Sequence, residues 1–247
     1  MNTYIVIPAR MASTRLPNKM LLSETGKPLV QYAYEAAKQS RLASGVCVAC
    51  DHPEIFAAVE SFGGIAIMTD PNAQSGTDRI AEVAKSLDDV DIIVNVQGDE
   101  PEMDPVAIDA VVQLLHDNTD AVMSTACTPI RNKAELENPA CVKVVFDKSG
   151  RAMYFSRSVI PHPRTWNDEL LFAEPPLFYL HLGLYAYRKE FLLQIPTLPP
   201  CDLEKTESLE QLRVLYGNYP IMMSVVEKAS HGIDTPEDYA NFVARMK

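Results

Sequence analysis

The chain has 247 residues, 47% of them hydrophobic and 22% charged, which fits a globular protein with one large domain or a domain plus sub-domain and excludes a disordered chain. Its 22 basic and 33 acidic residues leave a net charge of −11, so the basic footprint that nucleic acid requires is missing, and no stretch approaches the roughly 18 apolar residues that span a bilayer. Five cysteines, an odd number in a chain of this size, argue against a disulfide framework and for the reducing cytoplasm.

The opening MNTYIVIPAR has no basic run ahead of its apolar stretch and is expected to be a first strand over 3–8, not a signal sequence. Pro28 opens a helix over 29–39, followed by a strand at 46–50, a helix at 54–62 and a strand at 65–68. A helix at 79–87, a strand at 92–96, a helix at 106–116 and a strand at 121–125 continue the alternation. Short continuous apolar strands between amphipathic helices predict an α/β fold, doubly wound, with a mostly parallel sheet covered on both faces. After about residue 130 the rhythm changes. Longer strands at 142–146 and 179–187 flank an irregular Pro-rich stretch at 162–176, and a helix at 207–215, a strand at 222–226 and a helix at 237–246 follow. This second half reads as an inserted antiparallel layer, a substrate lid or dimer surface.

In open parallel sheets, ligands bind beyond the carboxyl ends of the strands, so those loops carry the chemistry. After the first strand comes Pro8-Ala9-Arg10 and on to Arg15 and Lys19, three cations with small and hydroxyl residues in an otherwise acidic chain. That composition suits an anion cradle, with a solvated basic loop as the alternative. No G-x-x-x-x-G-K-[ST] and no G-x-G-x-x-G is present, which excludes a P-loop NTPase and leaves a dinucleotide fold unsupported. Past the fourth strand, Gln97-Gly98-Asp99-Glu100 places a carboxylate pair where Mg²⁺ could sit on substrate phosphates, or where a helix-entry turn needs acids.

Gln74-Ser75-Gly76-Thr77-Asp78-Arg79 enters a helix, as a cap or as a turn whose free N–H groups meet a base or phosphate. In Asp234-Thr235-Pro236-Glu237-Asp238, capping accounts for Thr235 and Asp238 and leaves Asp234 free to serve as a second carboxylate. Asp89-Val90-Asp91 matches a D-x-D but precedes its strand, at the wrong end of the sheet, and reads as a solvated turn. Cys47 and Cys50 lie on opposite faces of one strand, which argues against a redox or zinc pair. His181 and Tyr185 share a strand face that fits either a core or a ligand surface.

Together these stretches resemble the cytidylyltransferases that make CMP-activated 3-deoxy-sugar acids, most nearly the 3-deoxy-manno-octulosonate (Kdo) cytidylyltransferase family. The matching segments run in order along the whole chain: IPARMASTRLPNK, CDH, QSGTDR, VNVQGDEP, VKVV, YFSRSVIP, HLGLYAYR, LEQLRVL and GIDTPED. The resemblance implies a Rossmann-like nucleotidyltransferase core from about 1–130 plus the C-terminal part. It also implies a mixed α+β sugar-binding and dimerisation sub-domain at about 131–220. A cytoplasmic homodimer is implied, joining CTP to Kdo with Mg²⁺ for lipopolysaccharide synthesis; an 8-amino analogue or a sialic-type acid is an alternative acceptor, and a non-enzymatic nucleotide-binding regulator is the other reading. Arg10, Arg15 and Lys19 would hold the triphosphate beside Pro8 and Ala9. Gln74, Ser75, Gly76, Arg79 and Gln97 would surround cytosine and ribose. Asp99 and Asp234 would hold metal, making Arg10, Lys19, Asp99 and Asp234 the catalytic set. Arg157, His181, Tyr185, Glu210 and Gln211 would meet the sugar acid. The sequence departs from the family pattern at Met11, Asn18, Met20 and Cys50. Asn at 18 is expected to keep the turn, because it tolerates left-handed backbone.

Overall fold

The computed structural model describes residues 1–73 and 75–246. β1 (Thr3–Ala9), α1 (Leu29–Ala37), β2 (Gly45–Cys50), α2 (Pro53–Ser61), β3 (Ala66–Met68), α3 (Gly76–Ala84), β4 (Ile92–Asn95), α4 (Pro105–Asp117) and β5 (Met123–Pro129) alternate as the sequence predicts. Then come α5 (Lys133–Glu137), β6 (Lys143–Phe146), β7 (Ala152–Ser156), β8 (Tyr179–Arg188), α6 (Lys189–Gln194), α7 (Asp202–Glu207), α8 (Gln211–Tyr216), β9 (Ile221–Val225) and α9 (Pro236–Met246).

Among the described residues the main sheet has the order β3-β2-β1-β4-β8-β5-β9. β8 runs antiparallel to β4 and β5, and the other neighbours pair in parallel. Alternating side chains feed two cores. Ile5 and Ile7 of β1 and Val94 of β4 pack with α1, α2 and α4 on one face. Val6 and Ile93 pack with α3, α6 and α8 on the other. Burial on both faces explains why these strands are continuously apolar. Cys47 and Cys50 fall into opposite cores, and burial pushes their thiols up to about 12 and about 11, so neither is a thiolate at neutral pH.

Several expectations change. The helix expected over 207–215 starts later, as α8 at Gln211, because a separate helix, α7, ends at Glu207: Ser208 at φ 51 is left-handed and its N–H closes α7 on the Glu204 carbonyl. β7 was not expected; it forms a hairpin with β6, which joins the start of β8 through Lys143 and Leu180. α3 begins three residues earlier than the periodicity indicated, because Ser75 caps it by accepting the Asp78 N–H. β8, which comes from the stretch assigned by resemblance to the sub-domain, lies within the main sheet between β4 and β5.

Candidate active site

β1 and β2 proceed to one side of the sheet and β4 lies on the other side of β1, which makes the β1/β4 boundary a topological switch point. The loops leaving their carboxyl ends enclose a cleft of about 210 Å³. Pro8, Ala9, Arg10, Lys19, Ser75, Gly76, Arg79, Gln97, Asp99 and Asp234, all singled out from sequence, line it. Met20, Ala73 and Gly98 complete the lining and were not singled out as site residues. At Gly98 a Cβ would lie 3.0 Å from the Pro8 carbonyl oxygen and 3.2 Å from the Met20 sulfur, so glycine is what lets the β1 and β4 loops touch. Gln74 lies outside the described residues.

Asn18 takes the left-handed conformation (φ 54, ψ 27) expected of it and turns the chain into a 3-10 turn at Lys19–Leu21. Lys19 is thereby buried, with its ammonium 2.5 Å from Asp99 Oδ2 and 3.0 Å from Asp234 Oδ1, and it donates to the Ile233 carbonyl at 3.1 Å. Arg15, two-thirds exposed at the rim, meets the other Asp234 oxygen at 2.8 Å. Two carboxylates 135 positions apart therefore converge on one ammonium. The Asp234 segment is set by backbone: the Ile233 N–H donates to the Asp99 carbonyl at 2.9 Å. Thr235 and Asp238 cap α9 reciprocally, with the Asp238 N–H donating to the Thr235 hydroxyl at 3.1 Å and the Thr235 N–H donating to Asp238 Oδ2 at 2.8 Å. This arrangement leaves the Asp234 carboxylate out of the cap and turned to the cleft, as the sequence suggested.

The acidic pair after β4 divides. Asp99 faces Lys19, whereas Glu100 accepts from the Ser230 hydroxyl on the opposite side, and burial pushes its carboxyl up to about 7. Asp89 and Asp91 sit at the far edge as expected, where the Asp91 carboxylate and the Asp89 carbonyl accept from Asn2.

The residues expected to meet the sugar acid separate into three situations. Tyr185, Glu210 and Gln211 line a second, much smaller cavity of about 30 Å³ with Met123, Tyr187, Ile195 and Val214. The Gln211 Nε2 is buried there without a protein partner. This cavity is tied to the nucleotide-side loops by the Thr77 hydroxyl on Glu210 and by Gln97 Nε2 donating to the Gly183 carbonyl at 3.2 Å. His181 lies beside Tyr185 with ring centroids 5.4 Å apart, but it is core: edge-on to Phe155, 3.0 Å from the Thr125 hydroxyl, and held neutral by burial that lowers its pKa to about 3. Arg157 does not reach this cavity. Its guanidinium donates to the carbonyls of Glu207, Pro139 and Ser208, knitting β7 to the end of α7.

Arg10, rim-exposed Arg15 and buried Lys19 gather with the start of α3 around two carboxylates. Such a cleft neutralises a polyphosphate and offers hard oxygen donors at its reacting end.

The cytidylyltransferase family model matches residues 4–224. A 3-deoxy-manno-octulosonate cytidylyltransferase from Rhodopirellula baltica is 50% identical over 248 residues, which cover 100% of this chain and 99% of that protein. One from Geotalea daltonii is 46% identical over 251 residues, with 100% and 99% covered. A solved structure of CMP:2-keto-3-deoxy-manno-octonic acid synthetase complexed with CTP superposes with a TM-score of 0.92 at 41% identity, covering 100% of this chain and 98% of that one. With a family model spanning nearly the whole chain and relatives matching it end to end, this protein belongs to the 3-deoxy-manno-octulosonate cytidylyltransferase family.

Proposed function

We propose that this chain joins CTP to Kdo, giving CMP-Kdo and pyrophosphate. The observation that carries the reading is the meeting of Arg10, Lys19, Asp99 and Asp234 in one cleft with the start of α3, in a chain that matches the CTP-bound synthetase end to end. The anomeric hydroxyl of the sugar attacks the α-phosphorus and pyrophosphate leaves. Such a reaction asks mainly for alignment and charge neutralisation, so no covalent intermediate is needed. Arg10, Arg15 and Lys19 hold the triphosphate against the growing charge on the leaving group. Ser75, Gly76 and Gln97 frame the base and ribose, and Tyr185, Glu210 and Gln211 frame the acceptor.

Asp99 and Asp234 suit Mg²⁺: both already face a single cation, the Lys19 ammonium, and Mg²⁺ typically takes one or two carboxylates and completes its shell with water and substrate oxygens. Bound there, Mg²⁺ would supply charge neutralisation at the reacting phosphate and favour the ionised nucleophile. Among the described residues no helix is long and apolar enough to cross a membrane. A cytoplasmic homodimer serving lipopolysaccharide synthesis completes the proposal; exposed Met153, Phe172 and Leu177 on the β7–β8 side supply apolar surface for a second copy.

The test is pyrophosphate release and product mass with CTP, Mg²⁺ and a panel of acceptors. Kdo should give CMP-Kdo at a rate far above that of the 8-amino analogue or a sialic-type acid. Equal or faster use of either alternative would reassign the acceptor, and no release with any of them would favour a nucleotide-binding regulator.

A further inference from the structure

At the wall of the cleft lies a charged pair: Arg79, which the resemblance set among the residues around cytosine and ribose, and Asp51, to which the chemistry above gives no task. Asp51 follows β2 and Arg79 lies on α3, and their side chains are only 11% and 5% exposed. One oxygen of Asp51 accepts the Met11 N–H from the β1 loop at 2.8 Å, and the other meets Arg79 Nη2 at 3.3 Å. Arg79 Nη1 donates to the Thr69 hydroxyl at 2.5 Å and to the Asp70 carbonyl at 3.3 Å, and Thr69 in turn donates to the Cys50 carbonyl at 3.0 Å. A single carboxylate thus links the loop bearing Arg10, Arg15 and Lys19 to the helix whose first turn forms the opposite wall.

A buried ion pair is weak evidence for stability, because desolvating both charges offsets most of their attraction and apolar residues of similar volume often serve as well. What an apolar replacement could not supply is an acceptor for the Met11 amide at the root of the cationic loop. Both terminal nitrogens of Arg79 are also engaged by protein atoms, although the residue lines the cleft. We infer that Asp51 and Arg79 are positioning residues, setting the cationic loop against the start of α3, and that Arg79 acts on the nucleotide through Asp51. The inference rests on the proposed CTP reaction.

The experiment measures CTP binding by calorimetry, together with kcat, KM for CTP, KM for acceptor and Tm, for Asp51→Asn, Asp51→Ala, Arg79→Met, Met11→Pro and Met11→Ala. A displacement of about 1 Å in a substrate-holding group can cost about 10² in rate. Asp51→Ala should therefore raise the CTP Kd and KM by about 10- to 100-fold while the acceptor KM at saturating CTP stays within about twofold. Asp51→Asn, which keeps an oxygen for the Met11 amide, should recover most of that loss. Met11→Pro, which removes the donor and also fixes the backbone at 11 and restricts Arg10, should reproduce it, whereas Met11→Ala, which keeps the amide, should bind CTP as wild type does; this pair carries the test if Asp51→Ala does not fold. Unchanged CTP affinity in Met11→Pro with a lowered Tm in Asp51→Ala would overturn the inference, since the pair would then serve stability alone. Loss of CTP binding in Arg79→Met but not in the Asp51 and Met11 variants would also overturn it, by giving Arg79 a direct contact. Wild-type protein that binds no CTP would instead refute the function proposed above.

Discussion

At the residue scale, Lys19 has two tasks that pull against each other. Its ammonium occupies the shared position between Asp99 and Asp234, yet the proposed reaction requires it on the phosphates. Binding of CTP would draw it away and leave the carboxylates to a divalent cation. Lys19→Ala is expected to slow turnover by about 10²–10³, the usual cost of losing one preorganised contact to developing charge. It should also let the ligand-free protein bind Mn²⁺ more tightly than wild type does, as read by electron paramagnetic resonance of free Mn²⁺. Equal Mn²⁺ affinity would show that the ammonium does not compete for the site.

His181 behaves differently. Its folded pKa of about 3 lies below its ordinary 6.5, so the unfolded chain binds the extra proton between these values. Stability from a neutral His181 is present above pH 6.5 and is lost as pH falls toward 3, by at most about 1.4 kcal/mol per pH unit. Denaturant unfolding across this range should show a shallower loss in His181→Gln, whatever that variant's stability at pH 7. Parallel curves would mean that His181 charges in the folded state and is not closed core.

At the element scale, the turn into α9 separates structure from chemistry within two residues. Thr235 caps the helix, and Asp234 faces Lys19. Thr235→Ala should lower unfolding free energy by about 1 kcal/mol, the usual value of such a cap. Asp234→Asn should leave Tm nearly unchanged while abolishing transfer. Thermal unfolding alongside the transfer assay checks the contrast, and a normal transfer rate in Asp234→Asn would reduce Asp234 to part of the helix entry. The start of α3 shows the same economy, since the Ser75 hydroxyl accepts the Asp78 N–H while the turn it fixes lines the cleft.

At the scale of the whole molecule, the nucleotide half was legible because its signals are local. Strands buried on both faces read as unbroken apolar runs, loops at their carboxyl ends carry the polar chemistry, and Asn18 and Thr235 act through their own backbone. The second half was less legible because its order comes from distant partners. β7 exists through pairing with β6, and the break at Ser208 comes from a left-handed residue inside a helix-like pattern. Fully buried Lys143 is satisfied by three carbonyls, those of Asn138, Cys141 and Arg157, that no spacing rule brings together. Asp51 was visible only as part of a matching stretch, though its place just after β2, at the ligand edge, was the available signal. Asp99 and Asp234 are far apart in sequence, and only the fold brings them to one ammonium.

That convergence is the centre of the account, and a double-mutant cycle tests it most directly. Transfer rate and CTP binding would be measured for Asp99→Asn, Asp234→Asn and the double variant. Residues acting as one unit are not additive. Each single change should abolish transfer while CTP still binds, and the double should be little worse than either. Losses that multiply would mean that the two carboxylates act separately and that no shared cation joins them.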